Sequence, residues 1–436
     1  MAFDCIVMGA AGRDFHDFKT FFGDHPEMRV RCFTATQIPF IDQRTYPKEL
    51  APAGYDDVPI YPEERLVELI ARWDIDFVFL AYTDLAYEDV MHKASIVQAA
   101  GASFAILGPK HTELTPKKPL IAVTAVRTGA GKSPLSQALA AHLVKKGLRA
   151  GVIRHPMPYG DLARQAVQRF STREDLDRHE CTVEEREEYE PYVARGLIIF
   201  AGVDYTRILA AAEAESDVIL WDGGNNDYPF YRAGLQIVVA DALRAGHESR
   251  FYPGETNARR ADVWVINKVN EARPEDVAAL HAAAARLCPG ATVIESDLEV
   301  SCDDPDALAG KRVLVIEDGP TLTHGGMSFG AGTLAARGAG AELIDPRPFA
   351  VGTVAAAYEK YPHIGPVLPA LGYSEEQRAE LAATIRAAKP DVVLDASPAS
   401  LKTLLQLDLP VQRVSYEFVQ RTGPDLFGLV DAFLEG

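Results

Sequence analysis

Between Arg127 and Ser133 the chain reads RTGAGKS, which sets two glycines, an amine and a hydroxyl side by side. Glycine enters positive φ at little steric cost, so Gly129 and Gly131 let successive backbone N–H groups of the loop, with Thr128 and Ala130 beside them, turn inward as a nest for an anion. Lys132 would then reach the β- and γ-phosphates of a nucleotide, and the Ser133 hydroxyl would ligate Mg2+. Residues 120–126 (LIAVTAV) predict a strand leading into this loop, and residues 134–146 predict a helix whose positive N-terminus faces the same phosphates. Pro134 is compatible with a first helical turn, where its missing N–H breaks no bond. The match to G-x-x-x-x-G-K-[ST] is incomplete, because its first glycine falls on Val126. A structural strand–helix turn is the alternative.

Two further stretches fall where such a domain would use them. DVILWD (217–222) is an apolar strand ending in Asp222, followed by GGNND. A carboxylate there can hold a magnesium water, and the glycines admit backbone to the γ-phosphate; the plain alternative is a turn aspartate. DVWVINKVN (262–270) resembles an NKxD base-reading segment through Asn267 and Lys268, with Asn270 in place of the aspartate. Guanine offers two adjacent donors that a carboxylate accepts and an amide does not, so the departure makes ATP the choice over GTP.

The strand ending at Arg154 leads into His155, and Arg164, Arg169, Arg178 and His179 follow. Arginine's planar fork grips phosphate or carboxylate at two points, so Arg154, His155, Arg164, Arg169 and Arg178 are candidate contacts for an anionic second substrate. Arg127 could bridge the transferred phosphoryl group. The alternative is surface arginines paired with the acidic run at 173–191, which is expected to be a solvated helical face or lid. His179-Glu180-Cys181 lacks a partner pair at zinc spacing. GAAGRD (9–14) follows a strand and could cradle an anion, but it lacks the GxGxxG pattern of a dinucleotide site. EDGPTLTHGG (317–326) reads as a second substrate loop or as ordinary turn chemistry.

The elements that must position these residues are apolar runs alternating with amphipathic helical stretches, which predicts an α/β fold with mostly parallel strands. The 436 residues suggest several domains. The division expected is an N-terminal Rossmann-like α/β domain at 1–115, with a linker at 112–119. A central P-loop NTPase domain at 116–305 and a C-terminal α/β region at 306–436 follow. A net charge of −18 disfavours a duplex nucleic-acid partner. No apolar run approaches membrane-spanning length, and the five scattered cysteines form no CxxC pair, so a cytoplasmic protein with reduced thiols is expected.

As a set, VMGAAGRDFHDF, AVRTGAGKS, RHPMPYGDL, VILWDGGNND, YPGETN, VINKVN and EDGPTLTHGGM resemble the cyclic 2,3-diphosphoglycerate synthetase-related family of predicted P-loop GTPases. The resemblance implies a magnesium-dependent synthase that uses ATP to close an intramolecular phosphoanhydride in 2,3-bisphosphoglycerate. It carries over to Lys132 and Ser133 for nucleotide and magnesium and to Asp222 for the metal; together with Arg127 from the reading of the loop itself, Lys132 and Asp222 are the expected catalytic residues. The expected partners are a nucleoside triphosphate, a small phosphorylated anion and a second copy in a homodimer. A GTP-hydrolysing regulatory switch and a nucleotide-binding assembly protein are the rival readings.

Overall fold

The computed structural model describes residues 2–35, 44–155, 160–224, 227–323, 325–371, 374–397 and 401–436. Motif residues 156–159, 225–226 and 324 lie outside them.

Two main sheets organise the chain, with the parallel-rich α/β character expected. The first runs Thr45–Tyr46, Val58–Pro62, Met28–Ala35, Phe3–Met8, Phe77–Leu80, Ser103–Ala105 and is parallel except at its outer pair. Helix Leu66–Trp73 buries Leu66, Leu69 and Ile70, the i, i+3, i+4 stripe of a helix with one covered face.

The second sheet has thirteen strands. From Ile198–Ala201 the order is Ala150–Arg154, Val218–Asp222, Leu120–Ala125, Leu235–Asp241, Val263–Asn267 and Thr292–Cys302, all parallel. Every residue of Leu120–Ala125 and Leu235–Asp241 is buried, as strands covered on both faces require. Thr292–Cys302 then pairs antiparallel with Val411–Thr422, and Val392–Asp395, Arg312–Glu317 and Glu342–Leu343 continue beyond it. The sheet therefore runs without a break across position 305.

Two segments differ from their sequence reading. Residues 112–119 are not a slack linker: His16 Nε2 lies 2.5 Å from the Thr112 carbonyl oxygen, and Leu114 exchanges backbone bonds with Phe230 and Arg232. The acidic run forms two helices, Arg173–Arg178 and Val183–Val193, each opened by a threonine capping box. Its aromatic face is not solvated, because Tyr189 and Tyr192 are buried in the same core as Leu135 and Leu139 of the helix after the glycine loop. Among the described residues no helix is long and apolar enough to cross a membrane.

The last helix, Leu426–Glu435, returns to this central core. Leu426 and Val430 join Ile121, Leu139 and Leu143, and His142 Nε2 stands 2.8 Å from Asp431 Oδ1. Leu426 is wholly buried, so Leu426→Ala is expected to cost about 2–5 kcal/mol. Urea titration should show a lower midpoint with an unchanged slope; a shift near zero would mean that the helix contributes nothing to the central core.

Candidate nucleotide site

Strand Leu120–Ala125 ends under a loop that leads into helix Lys132–Lys145. Gly129 (φ 78°) and Gly131 (φ 104°) occupy the left-handed region, and a Cβ on Gly131 would collide with the Asn267 amide. Three side chains from neighbouring strand ends hold the loop's carbonyls. An Arg244 Nη donates to the Thr128 oxygen at 2.7 Å, Lys268 Nζ to the Gly129 oxygen at 2.6 Å, and Asn267 Nδ2 to the Ala130 oxygen at 2.9 Å. In a planar trans peptide the C=O and the following N–H point in opposite directions. Carbonyls held outward at Thr128 and Ala130 thus turn the N–H groups of Gly129 and Gly131 to the inner side, while the Ala130 N–H closes a turn on the Arg127 oxygen at 3.3 Å. The first-turn N–H groups of the following helix have no preceding carbonyl to bond and face the same space.

Lys132 stands at this mouth, half-buried. Burial pushes its ammonium down to about 8, Arg154 adds to the fall, and the carboxylates of Asp222, Asp84 and Asp318 oppose it. Those carboxylates come from the middle, the beginning and the last third of the chain. Asp222, fully buried, is the register partner of Arg154 on the neighbouring strand. Its Oδ2 is bound by Arg154 and accepts the Tyr192 hydroxyl at 2.5 Å, and Glu188 of the same helix as Tyr192 takes the other side of Arg154. Among the described residues, Asp222 Oδ1 is buried with no hydrogen-bond partner. That orphaned oxygen and the Ser133 hydroxyl fit the protein share of a magnesium shell, the rest of which comes from water and phosphate oxygens.

The remaining sequence candidates divide. Arg127 is buried beside the loop, but its Nε lies 2.8 Å from Asp84 Oδ1 and its guanidinium sits 3.6 Å over the Phe251 ring. Here it joins the N-terminal sheet to the loop rather than presenting a bare fork to phosphate. His155 is wedged against Gly12 and Gly224, where added Cβ atoms would meet its ring and Cβ, with Nε2 3.7 Å from Asp227 Oδ2.

Among the described residues, Arg164, Arg169 and Arg178 make no hydrogen bond or ion pair with the loop. All three are exposed. Arg169 forks onto Glu215 at 2.7–3.0 Å and Arg178 pairs with Asp175 at 2.8 Å. Arg169 lies on the edge strand Gln168–Phe170, four strands from Leu120–Ala125, roughly 19 Å at the usual strand spacing. Asn270 is engaged at the neighbouring strand: its amide donates to the Leu298 oxygen at 3.2 Å and accepts the Leu298 N–H at 3.3 Å, tying the loop to strand Thr292–Cys302. Asn267 and Lys268 belong to the site, but as the pins behind the loop. Asp241, Arg244, Asp84, Tyr192 and Glu188 were missed. Asp241 carried a readable signal, since it ends an apolar strand as Asp222 does.

The N-terminal loop is no open anion cradle, because Asp14 fills it. Its Oδ1 accepts the N–H groups of Ala11, Gly12 and Phe15 at 2.7–3.0 Å. Next to it, Arg13 donates from Nε to Asp227 Oδ1 at 2.5 Å and lies 3.6 Å over the Tyr228 ring. One buried arginine thus faces two buried carboxylates, Asp227 and Asp17, with Asp14 buried beside them in sequence. Burial raises Asp14 and Asp227 to about 6 and Asp17 to about 8, the 3.5 Å contact of Asp17 with Arg13 being too long to offset desolvation. A folded-state pKa above the unfolded 3.8 means that the folded chain holds the extra proton between those values, so stability falls as pH rises from about 4 to about 8. Urea midpoints are expected to drop from pH 6 to pH 8, and Asp17→Asn should flatten that drop. An equally steep drop in the variant would clear Asp17 of responsibility.

No family model matches the chain. Among solved structures it is similar to the "apo" form of LpxK from Aquifex aeolicus in complex with ATP, with 13% identity, 85% of this chain and 99% of that chain covered, and a TM-score of 0.43. It is also similar to the UDP-N-acetylmuramate:L-alanyl-gamma-D-glutamyl-meso-diaminopimelate ligase of Neisseria meningitides, with 11% identity, 68% and 81% covered, and a TM-score of 0.27. In sequence it is 53% identical over 423 residues to the arginine synthetase ArcE of Thermococcus kodakarensis, across 97% of this chain and 94% of that protein. At that identity and coverage, the chain belongs to the family of arginine synthetase ArcE.

Proposed function

We propose that the protein is a magnesium- and ATP-dependent synthetase that builds the guanidino group of arginine by way of phosphoryl transfer in the glycine loop. The observation that carries this reading is the loop itself, with its carbonyls pinned outward, N–H groups on the inner side and Lys132 at its mouth beside buried Asp222. The name of the relative supplies the product. A ureido side chain becomes a guanidino group only when its oxygen is turned into a leaving group. The γ-phosphoryl group passes to that oxygen and ADP departs. A nitrogen nucleophile then adds to the carbon, the C–O bond breaks, phosphate leaves with the electron pair, and the surplus proton goes to water. Lys132 offsets charge on the transferring group, and the inward N–H groups hold the phosphates in place. Mg2+ held through Ser133 and Asp222 would neutralise charge on the β- and γ-phosphate oxygens.

ATP remains the choice over GTP because position 270 offers no carboxylate for guanine, and its amide is already engaged by Leu298. The acceptor suggested by the sequence resemblance, 2,3-bisphosphoglycerate closing to a cyclic anhydride, is a polyanion that needs uncompensated cations. Arg13, Arg127 and Arg154 are each matched by carboxylates, which favours a zwitterionic amino-acid acceptor.

Phosphorus NMR with ATP, Mg2+ and either citrulline plus ammonium or 2,3-bisphosphoglycerate separates the readings. Phosphate and ADP formed only with the first mixture, together with new arginine, is the expected result. A cyclic-anhydride signal with the second would transfer the assignment to that substrate, and acceptor-independent hydrolysis would favour a nucleotide switch. Lys132→Ala should lower turnover by about 100-fold or more. The depressed Lys132 adds a pH signature. Bound triphosphate restores the ammonium, so above pH 8 binding takes up a proton and the affinity falls by up to about tenfold per pH unit. Calorimetry in buffers of different ionisation heat would detect that proton; its absence near pH 9 would mean that Lys132 does not meet the phosphates.

A further inference from the structure

The loop after strand Arg312–Glu317 lies against the nucleotide loop, although some two hundred residues separate them in the chain. A Cβ on Gly129 would meet Thr321 Oγ1 at 3.4 Å and an Arg244 Nη at 3.6 Å. Asp318, whose field reaches Lys132, accepts the Thr321 N–H at 3.0 Å and its hydroxyl at 2.5 Å, which sets the Thr321 side chain. Arg244 closes the arrangement. Its Nε donates to Asp241 Oδ2 at 2.9 Å, one Nη to the Thr128 oxygen at 2.7 Å and the other to the Gly325 oxygen at 3.0 Å. One planar guanidinium with its side chain buried therefore binds a strand end, the nucleotide loop and the C-terminal loop at once. Lysine cannot copy that arrangement, since a single ammonium has neither the span nor the fixed fork.

We infer that residues 317–323 and 325–327 form a second wall of the triphosphate site, and that Arg244 is the positioning residue that couples this wall to the phosphate-binding loop. The inference rests on the nucleotide reading of the loop and gives the C-terminal third of the chain a part in it. Nucleotide that orders residues 128–131 must, through Arg244, also order the Gly325 side. Asp241 holds Arg244 from behind, so the guanidinium is fixed before nucleotide arrives. Lys268 shares Asp241 but reaches only Gly129, so it cannot replace the link.

Hydrogen exchange of the full chain with ATP and Mg2+ tests this directly. In the wild type, nucleotide should slow exchange at least threefold in both 127–133 and 317–327. In Arg244→Lys, which keeps the charge beside Asp241, slowing should persist in 127–133 and disappear from 317–327. The same variant should lower kcat by tenfold or more and weaken ATP binding as well, since it also releases the Thr128 carbonyl, while at saturating ATP the loss of slowing stays confined to 317–327, a pattern that general loosening of the fold would not give. Slowing confined to 127–133 in the wild type would overturn this inference and leave the nucleotide reading intact. Slowing in neither segment would remove both. Retained slowing of 317–327 in Arg244→Lys would show that the wall forms without Arg244 and would end its positioning role.

Discussion

Three hydrogen bonds to the carbonyls of Thr128, Gly129 and Ala130 are the constraint on which the site depends. A glycine-rich loop has many accessible backbone conformations, and leaving it unpinned would make the anion-binding conformation one of several. Here the selection is made by charged or amide side chains whose own positions are fixed. Asp241 is fully buried between Lys268 and Arg244; burial alone would raise it, yet the two cations hold it below the usual carboxylate range. Asn267 is fixed in turn by the Ser296 hydroxyl at 2.9 Å. The loop is therefore held through buried groups on three adjacent parallel strands, with the anion side left to the N–H groups and Lys132.

The architecture explains how such distant residues meet. The connections after Leu120–Ala125 and Leu235–Asp241 leave in opposite directions, to Ala150–Arg154 on one side and Val263–Asn267 on the other. Beyond the carboxyl ends of such diverging strands a crevice opens. The short pairing of Leu85–Ala86 with Phe251–Tyr252 brings the N-terminal region to one side of it and places Asp84 on Arg127. The long antiparallel pair Thr292–Cys302 and Val411–Thr422 brings the last third of the chain to the other. Stability and site geometry are coupled through these joints, because the elements that close the core also deliver Asp84 and Asp318 to Lys132.

How much of this was legible follows from what each signal measures. Fully buried parallel strands are apolar on both faces, and 120–126, 217–222 and 262–266 read correctly because hydrophobic run length reports that burial directly. Thr292–Cys302 did not, because ESDLEVS carries charge on a strand buried only in part, and no apolar run marks it. Strand-ending carboxylates were visible as a class but ambiguous in role. Asp222 pairs with Arg154, Asp241 anchors the pins, Glu317 accepts the N–H groups of Gly332 and Thr333, and Asp395 accepts those of Ser397 and Leu401. The same residue type at the same kind of position thus performs chemistry, positioning or capping according to its neighbours. Nearness in sequence to Arg154 likewise carried no information about the four-strand separation of Arg169 from the loop.

Charge balance connects these observations to the proposed chemistry. The chain carries a net −18, and its buried arginines near the crevice are neutralised in place, Arg13 by Asp227, Arg127 by Asp84, and Arg154 by Asp222 and Glu188. On the proposed reading, what remains among the described residues to meet a triphosphate is a set of fixed N–H dipoles, the Lys132 ammonium weakened by its surroundings, and the carboxylate and hydroxyl share of a magnesium shell. Dipoles carry no net charge, so they favour an anion where charge develops without repelling a cationic group nearby. On that reading, an acceptor with both an ammonium and a carboxylate can approach such a site, since paired arginines and carboxylates present no field of one sign. A bisphosphate would have to pull several arginines from carboxylates that are themselves buried, leaving those carboxylates uncompensated. On the proposed reading, the paired arginines are what admits an amino acid to a phosphoryl-transfer site.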